Sequence, residues 1–269
     1  MAQNIFERYG IKEVADVQFE ALADDTRLGV LKGDIVLFLD TLKVSTIEQT
    51  AETSEAKGGK GNVTLLSWDF NKEITVTLQD ALFSSASLAV MQAAKLVEAT
   101  AGAVQYVRYH QELVADSTPT TFSLTKTPVS VAGSKIRWLN MTKGTRGQLS
   151  VPASTPKEIT LTTGDCVEGD IMKFFYDVSV DGTNNTSAFT VTIDASHFSG
   201  TYRVFGDTLV RSQKTGADTA FQFVIEKAKV NSETTFTMEA EGDPTVFDMK
   251  LKVLRADDGG MIKFIKYEI

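Results

Sequence analysis

Phe247-Asp248-Met249-Lys250-Leu251-Lys252-Val253 sets an apolar side chain at every second position and a charged one between. Successive side chains of a strand point to opposite faces, so this stretch reads as a strand with one face buried and one in water. The same period runs through Met172, Phe174, Tyr176, Val178 and Val180, then Phe189, Val191 and Ile193, then Phe221, Phe223 and Ile225. Phe236, Met238 and Ala240 repeat it, and Ile262-Lys263-Phe264-Ile265 makes a last strand. Turn-forming residues punctuate these runs: Asp181-Gly182-Thr183-Asn184-Asn185 joins two of them, followed by Glu241-Gly242-Asp243-Pro244 and Asp257-Asp258-Gly259-Gly260. Shorter strand signals stand at Tyr106-Val107-Arg108-Tyr109, Phe122 and Leu124, Ile136-Arg137-Trp138-Leu139, and Ile159 with Leu161.

Towards the N-terminus the pattern is more mixed. Residues 1–33 are acidic and read as an arm with one or two short strands, closed by Gly33. Ile35-Val36-Leu37-Phe38-Leu39 is strand-like and runs on through Leu42, Val44 and Ile47. Ser54-Glu55-Ala56-Lys57-Gly58-Gly59-Lys60-Gly61 follows as a flexible stretch, after which Val63, Leu65 and Leu66 resume and Ile74, Val76 and Leu78 alternate with Glu73, Thr75 and Thr77. Two strands flanking a Gly/Lys loop make a long β-hairpin with a flexible tip. Between about 80 and 100, Leu82, Ala86, Ala89, Ala93 and Leu96 recur at helical spacing, with Asp80 or Ser84 as N-cap and Gly102 beyond the end. Many antiparallel strands and one helix predict a mainly β fold, an antiparallel β-sandwich or barrel with one packed α-helix, over a single domain spanning 1–269.

The 269 residues are 42% hydrophobic and 23% charged, which is enough apolar material for a core. Lys and Arg number 27 against 35 Asp and Glu, a net charge of −8 that repels phosphate backbones and argues against a nucleic-acid clamp. The first residues hold no apolar stretch of the signal-peptide kind, and no window approaches a membrane span, so the chain is expected to be made in a cytosol. Catalytic signals are sparse. Lys57-Gly58-Gly59-Lys60-Gly61 departs from the phosphate-loop pattern, since a strand and not a helix follows it. His110 and His197 lack paired spacing, and Cys166 is the single cysteine, with no basic neighbour to activate it. Asp165, Glu168 and Asp170, or Asp181 with Asn184 and Asn185, do not match a calcium-loop spacing. No nucleophile-elbow motif is present. These features predict a non-enzyme with no cofactor and no metal. Sheet edges that invite another chain then become the natural functional element, with the N-terminal arm and the hairpin tip ordering on assembly.

One set of motifs goes further. Gly58-Gly59-Lys60-Gly61-Asn62, a strand through Leu66, Ser67-Trp68-Asp69, Lys72-Glu73-Ile74 and Asp80-Ala81-Leu82-Phe83-Ser84 occur in that order. The segment 223–269, with Thr237-Met238-Glu239-Ala240-Glu241-Gly242-Asp243-Pro244 and Phe247, adds closing hairpins. Together they resemble the tail tube (major tail) proteins of long-tailed bacteriophages. The resemblance implies hexameric rings stacked into a hollow conduit whose inner β-barrel is shared between subunits, with tape-measure protein and genome passing through. Terminator and baseplate or tip proteins would meet the ends of such a tube, and the protein would reside in the virion. It also implies that the loop at about 50–61 reaches a neighbouring ring. Ser54, Glu55, Lys57, Gly58, Gly59, Lys60 and Gly61 are therefore the candidate inter-ring contacts. Acidic residues turned to the bore would keep DNA sliding, and Asp69, Glu73, Glu226, Glu239 and Glu241 are the candidates. Residues 115–215 exceed what a minimal tube subunit needs and are expected as extra strands or a small inserted β-domain. The alternatives are another phage structural protein (terminator, hub or decoration) or a carbohydrate-binding β-sandwich using Trp68, Trp138 or Tyr202.

Overall fold

The computed structural model describes residues 7–130, 133–183, 186–231 and 246–268. The expected strand of Phe236, Met238 and Ala240, the turn at 241–244, and Glu239 and Glu241 lie outside the described residues, as do Asn184 and Asn185. In chain order the elements are β1 (Tyr9–Ile11), β2 (Asp16–Ala21), β3 (Ile35–Leu39), β4 (Leu42–Gly58), β5 (Val63–Asp80), α1 (Ser85–Met91), β6 (Lys95–Glu98), β7 (Gln105–Val114) and β8 (Thr121–Ser123). There follow β9 (Lys135–Asn140), β10 (Thr145–Ser150), β11 (Glu158–Thr160), β12 (Ile171–Val180), β13 (Phe189–Thr192), β14 (Thr201–Ser212), β15 (Asp218–Val230), β16 (Phe247–Val253) and β17 (Lys263–Tyr267). Among the described residues the fold is mainly β, with one short helix and antiparallel pairing in the nine-stranded and four-stranded sheets. The chain divides into two compact units, one built from residues 1–96 and 191–269, the other from Val97–Thr190.

The first unit is a single large sheet of order β3-β2-β14-β15-β16-β5-β4, with β1 added along β14 and β17 along β15. The order has two ends, so the sheet is open and not a closed barrel. Its strands bury every second residue: Val17 and Phe19, Leu37 and Leu39, Val76 and Leu78, Met249 and Leu251 all point into one cluster. Phe19 meets the Tyr202 ring edge-on at 6.0 Å, a favoured aromatic geometry. The two short strands expected in the N-terminal arm are present as β1 and β2, but β2 is an interior strand of the sheet. β2 lies between β3 and β14, with Val17 and Phe19 wholly buried. Its acidic residues Asp16 and Glu20 alternate with those apolar ones and occupy the other face.

The helix is much shorter than the 80–100 expected. Ser84 caps it in a reciprocal box with Ser87, and it ends at Gln92, followed by Ala93 with φ of 53°. Asp80 belongs to β5, and Lys95-Leu96-Val97-Glu98 is strand β6, paired with β13 in a two-stranded sheet. Leu96 and Val97 satisfied a helical spacing and a strand spacing equally, and pairing decided between them. β13 therefore does not fold back on β12, although a turn begins at Asp181, whose carboxylate accepts from the Thr183 amide at 3.0 Å.

The second unit has a four-stranded sheet of order β10-β9-β12-β7 and a two-stranded sheet of β11 and β8. Ile136, Ile159, Met172, Phe174 and Tyr176 have no exposed surface and form its core. A buried polar link pins the β9–β10 turn. Asn140 Nδ2 donates to Asp170 at 2.8 Å and its Oδ1 accepts from the Lys143 amide at 2.9 Å. Donations from Asn140 and the Val167 amide hold the Asp170 carboxyl below the usual range, against the effect of burial.

Two stability outcomes follow. Gly206 stands opposite Phe223 in the β14–β15 register, and that ring occupies the space a Cβ would need. Gly206→Ala is expected to lower unfolding free energy by about 1–3 kcal/mol in urea titration, the usual cost of overpacking. Because the folded Asp170 pKa is depressed, its contribution is complete above the unfolded value of about 3.9 and disappears as pH falls through the folded one. Asp170→Asn should therefore melt below the parent at pH 7, with the gap in Tm closing as the pH is taken below about 4.

Candidate functional site

Pairing between β4 and β5 extends from Leu42 and Asp80 out to Gly58 and Val63. On its other side β5 is held by β16 only from Thr75 to Asp80. Beyond Glu73 the two strands continue as a ribbon with no third strand beside them among the described residues. The change coincides with an irregularity between Thr50 and Glu52, opposite Asn71, which adopts φ of 51°. A bulge of this kind sharpens twist and re-aims the strands beyond it. The seven residues 52–58 then carry the ribbon about 23 Å outwards at a strand's rise per residue.

The register separates the ribbon into two unlike faces. Phe70 is opposite Glu52, Trp68 opposite Ser54, Leu66 opposite Ala56 and Val63 opposite Gly58. The irregularity at Ala56/Lys57 brings Leu65 to the same side, where its Cδ1 covers Gly58. Large apolar side chains of β5 thus lie opposite Glu52 and the small residues Ser54, Ala56 and Gly58 of β4, and among the described residues they stay exposed. Leu66 is 64% exposed, Trp68 52% and Phe70 44%. The opposite face is polar and internally bonded. Thr53 donates to Asp69 at 2.8 Å, Thr64 to Glu55 at 3.0 Å, and Lys57 pairs with Glu55 at 3.0 Å.

The residues of the expected contact loop fall on the end of β4 and on the turn that follows it. Ser54, Glu55, Lys57 and Gly58 are strand residues, and the turn proper is Gly59, Lys60, Gly61 and Asn62. Gly59 and Gly61 adopt φ of 80° and 92°, which favours glycine there, and the Asn62 amide donates to the Gly59 carbonyl at 3.2 Å. Large exposed apolar side chains lie further along, on β5, at Leu65, Leu66, Trp68 and Phe70. The alternation of Leu66, Trp68 and Phe70 was the available signal.

The described acids considered for a bore are differently placed. Asp69 sits on the polar face of the ribbon. Glu73, at its base, pairs with Lys252 at 2.7 Å. Glu226 is clamped between Arg203 at 2.8 Å and Lys263 at 2.9 Å, and donation from Lys263 and Arg203 lowers its pKa. Of the candidate glycan-stacking residues, Trp138 and Tyr202 are buried and present no platform. The histidines and the cysteine are held in local contacts. His110 stacks on Phe175. His197 Nδ1 meets both Asp194 at 2.5 Å and Ser196 at 3.1 Å, so both contacts use one ring nitrogen, unlike a relay. Cys166 is buried, its thiol directed at the Pro119 carbonyl and its pKa pushed up by burial. Among the described residues no group of three or more His, Cys, Asp or Glu could hold a metal ion. No helix among them is long and apolar enough to cross a membrane.

A single open sheet, two edge strands and a projecting two-faced ribbon are thus the features available for an assembly role. The model of the YomU/Tube protein family matches residues 9–266. The chain belongs to the YomU/Tube protein family. The match takes in both compact units, so residues 97–190 are part of this family's pattern in the chain. No curated protein matches the sequence.

Because Trp68 lies outside either core, Trp68→Ser should leave the urea unfolding free energy within about 0.5 kcal/mol of the parent. Trp138→Ala, by contrast, should cost about 3–5 kcal/mol. Paired urea titrations followed by circular dichroism test both.

Proposed function

We propose that this YomU/Tube protein is the structural subunit of a phage tail tube, self-assembling into stacked rings that form a conduit for the genome. The observation that carries the reading is the uncovered apolar face of the β4–β5 ribbon. A two-stranded ribbon is marginal in water by itself, and covering each half-exposed large apolar residue contributes about 1 kcal/mol. A face of this kind on a repeating subunit fits a seat on the next copy. The large sheet supports the same reading, because its terminal strands β3 and β4 each leave one side unpaired among the described residues. Open edges join head to tail, and repeated identical joints close into a ring. In this reading β3 of one copy meets β4 of the next around the ring, while the ribbon reaches the adjoining ring.

Six subunits per ring, tape-measure protein and DNA passing inside, terminator and baseplate or tip proteins at the ends, and residence in the virion complete the proposal. The role is structural and involves no turnover. Asp69 and, where unpaired, the other acids of the strand faces would keep the wall from gripping DNA.

Negative-stain electron microscopy of concentrated protein tests the assignment, with rings or tubes as the expected result. The triple variant Leu66→Asp, Trp68→Asp, Phe70→Asp should keep the parent's circular dichroism and yield rings that no longer stack. Isolated compact particles from the parent protein would overturn the tube reading. Unstacked rings from the parent would instead indicate a terminator or hub. Normal tubes from the triple variant would remove the ribbon from the inter-ring contact.

A further inference from the structure

The four-stranded sheet of residues 97–190 has one face turned to its own core and one turned to solvent. Strand register fixes what the solvent face carries. Across the sheet, Gln148, Arg137, Phe175 and His110 form one row, and Arg146, Leu139, Lys173 and Glu112 form the next. Beyond the first row, Lys135 lies beside Ser150 and Arg108 beside Asp177. In a chain of net charge −8, this face gathers Lys135, Arg137, Arg146, Lys173 and Arg108 against Glu112 and Asp177.

The cations differ in their state. Arg108 forks onto Asp177 at 2.5 and 3.0 Å, and Lys173 pairs with Glu112 at 3.3 Å. Lys135 meets only the Ser150 hydroxyl at 2.8 Å, and no carboxylate pairs with Arg137 or Arg146 among the described residues. Lys135 and Arg137 are two residues apart on β9, and Arg146 stands one row further on β10. The unpaired cations therefore form a bent file, about 6.6 Å from Lys135 to Arg137 along β9 and about 7–8 Å on the diagonal from Arg137 to Arg146. Alongside it is an aromatic platform, with His110 stacked on Phe175 at 6.2 Å between centroids and 27° between planes.

We infer that this face binds an acidic polysaccharide, with a sugar ring over the Phe175–His110 platform and its anionic groups on Arg137, Arg146 and Lys135. Charge complementarity selects an anionic partner, and the ring pair selects one that has flat apolar faces. Glu112 and Asp177 on the same face narrow the choice. They accept hydrogen bonds from sugar hydroxyls, but they repel a backbone with a charge on every unit, as does the chain's overall charge. A polymer whose charge is diluted by neutral hydroxylated rings fits this mixture better than single-stranded nucleic acid does. The inference does not depend on tube assembly, since every residue it uses lies within residues 97–190.

Affinity electrophoresis of the full chain, in gels containing unsulfated chondroitin, hyaluronan or neutral dextran, tests it. The parent protein should be retarded by at least one of the two acidic polymers and not by dextran, with retardation falling as salt rises. Arg137→Glu/Arg146→Glu should weaken binding at least tenfold. Phe175→Leu, which removes the ring and keeps a similar volume, should weaken it several-fold at unchanged circular dichroism. Should the charge reversal disturb folding, Arg137→Gln/Arg146→Gln serves in its place. No retardation of the parent by either acidic polymer, equal retardation of the double variant, or tighter binding of oligo-dT than of both polymers would each overturn the inference.

Discussion

Hydrogen bonding between β4 and β5 outlasts the sheet that carries it. Up to Glu73 the pair is stabilised by β16 and by the core beneath Ile74, Val76 and Leu78. Past the irregularity at Asn71, only cross-strand pairs remain among the described residues, and one face of those pairs carries Leu66, Trp68 and Phe70. Ladder hydrogen bonds alone give a two-stranded ribbon little net stability in water, because water competes for the same groups. The remainder of the first unit supplies the base of this extension, and the ribbon's polar face is bonded within itself.

Electrostatics are subordinate to that design. The net charge of −8 suggested a bare acidic wall, yet Glu73 and Glu226 are each matched by cations of neighbouring strands. Exposed pairs of this sort contribute only about 0–1 kcal/mol each. Their effect is local: they remove free charge from the strand faces where they occur. The excess negative charge is distributed elsewhere on the chain.

The sequence made much of the β architecture legible. Strict alternation in Met172 to Val180 and in Phe247 to Val253 marked two strands that each bury one face completely, and no other period fits such a run. β2 carried the same signal in Val17, Phe19 and Ala21, but the acids between them made an interior strand resemble a surface arm. The helix was overextended because Leu96 and Val97 suit either period, and only pairing with β13 separates them. For the ribbon, two strands flanking the Gly/Lys loop were visible, though Trp68 and Phe70 were not joined to Leu66 as one face. What sequence does not encode locally is whether another layer covers them, since burial depends on chain segments far away. The cationic file of Lys135, Arg137 and Arg146 is hidden for a related reason: two strands must be placed in register before the three charges become neighbours.

Residues 97–190 leave the first unit through β6 and come back through β13, and those two strands are bonded to each other, with the Ala99 amide donating to the Ala188 carbonyl at 2.8 Å. A detour whose two ends are clasped together asks nothing of the sheet it interrupts. A change of length within it is taken up between those two ends, so the module and the nine-stranded sheet are free to evolve at different rates.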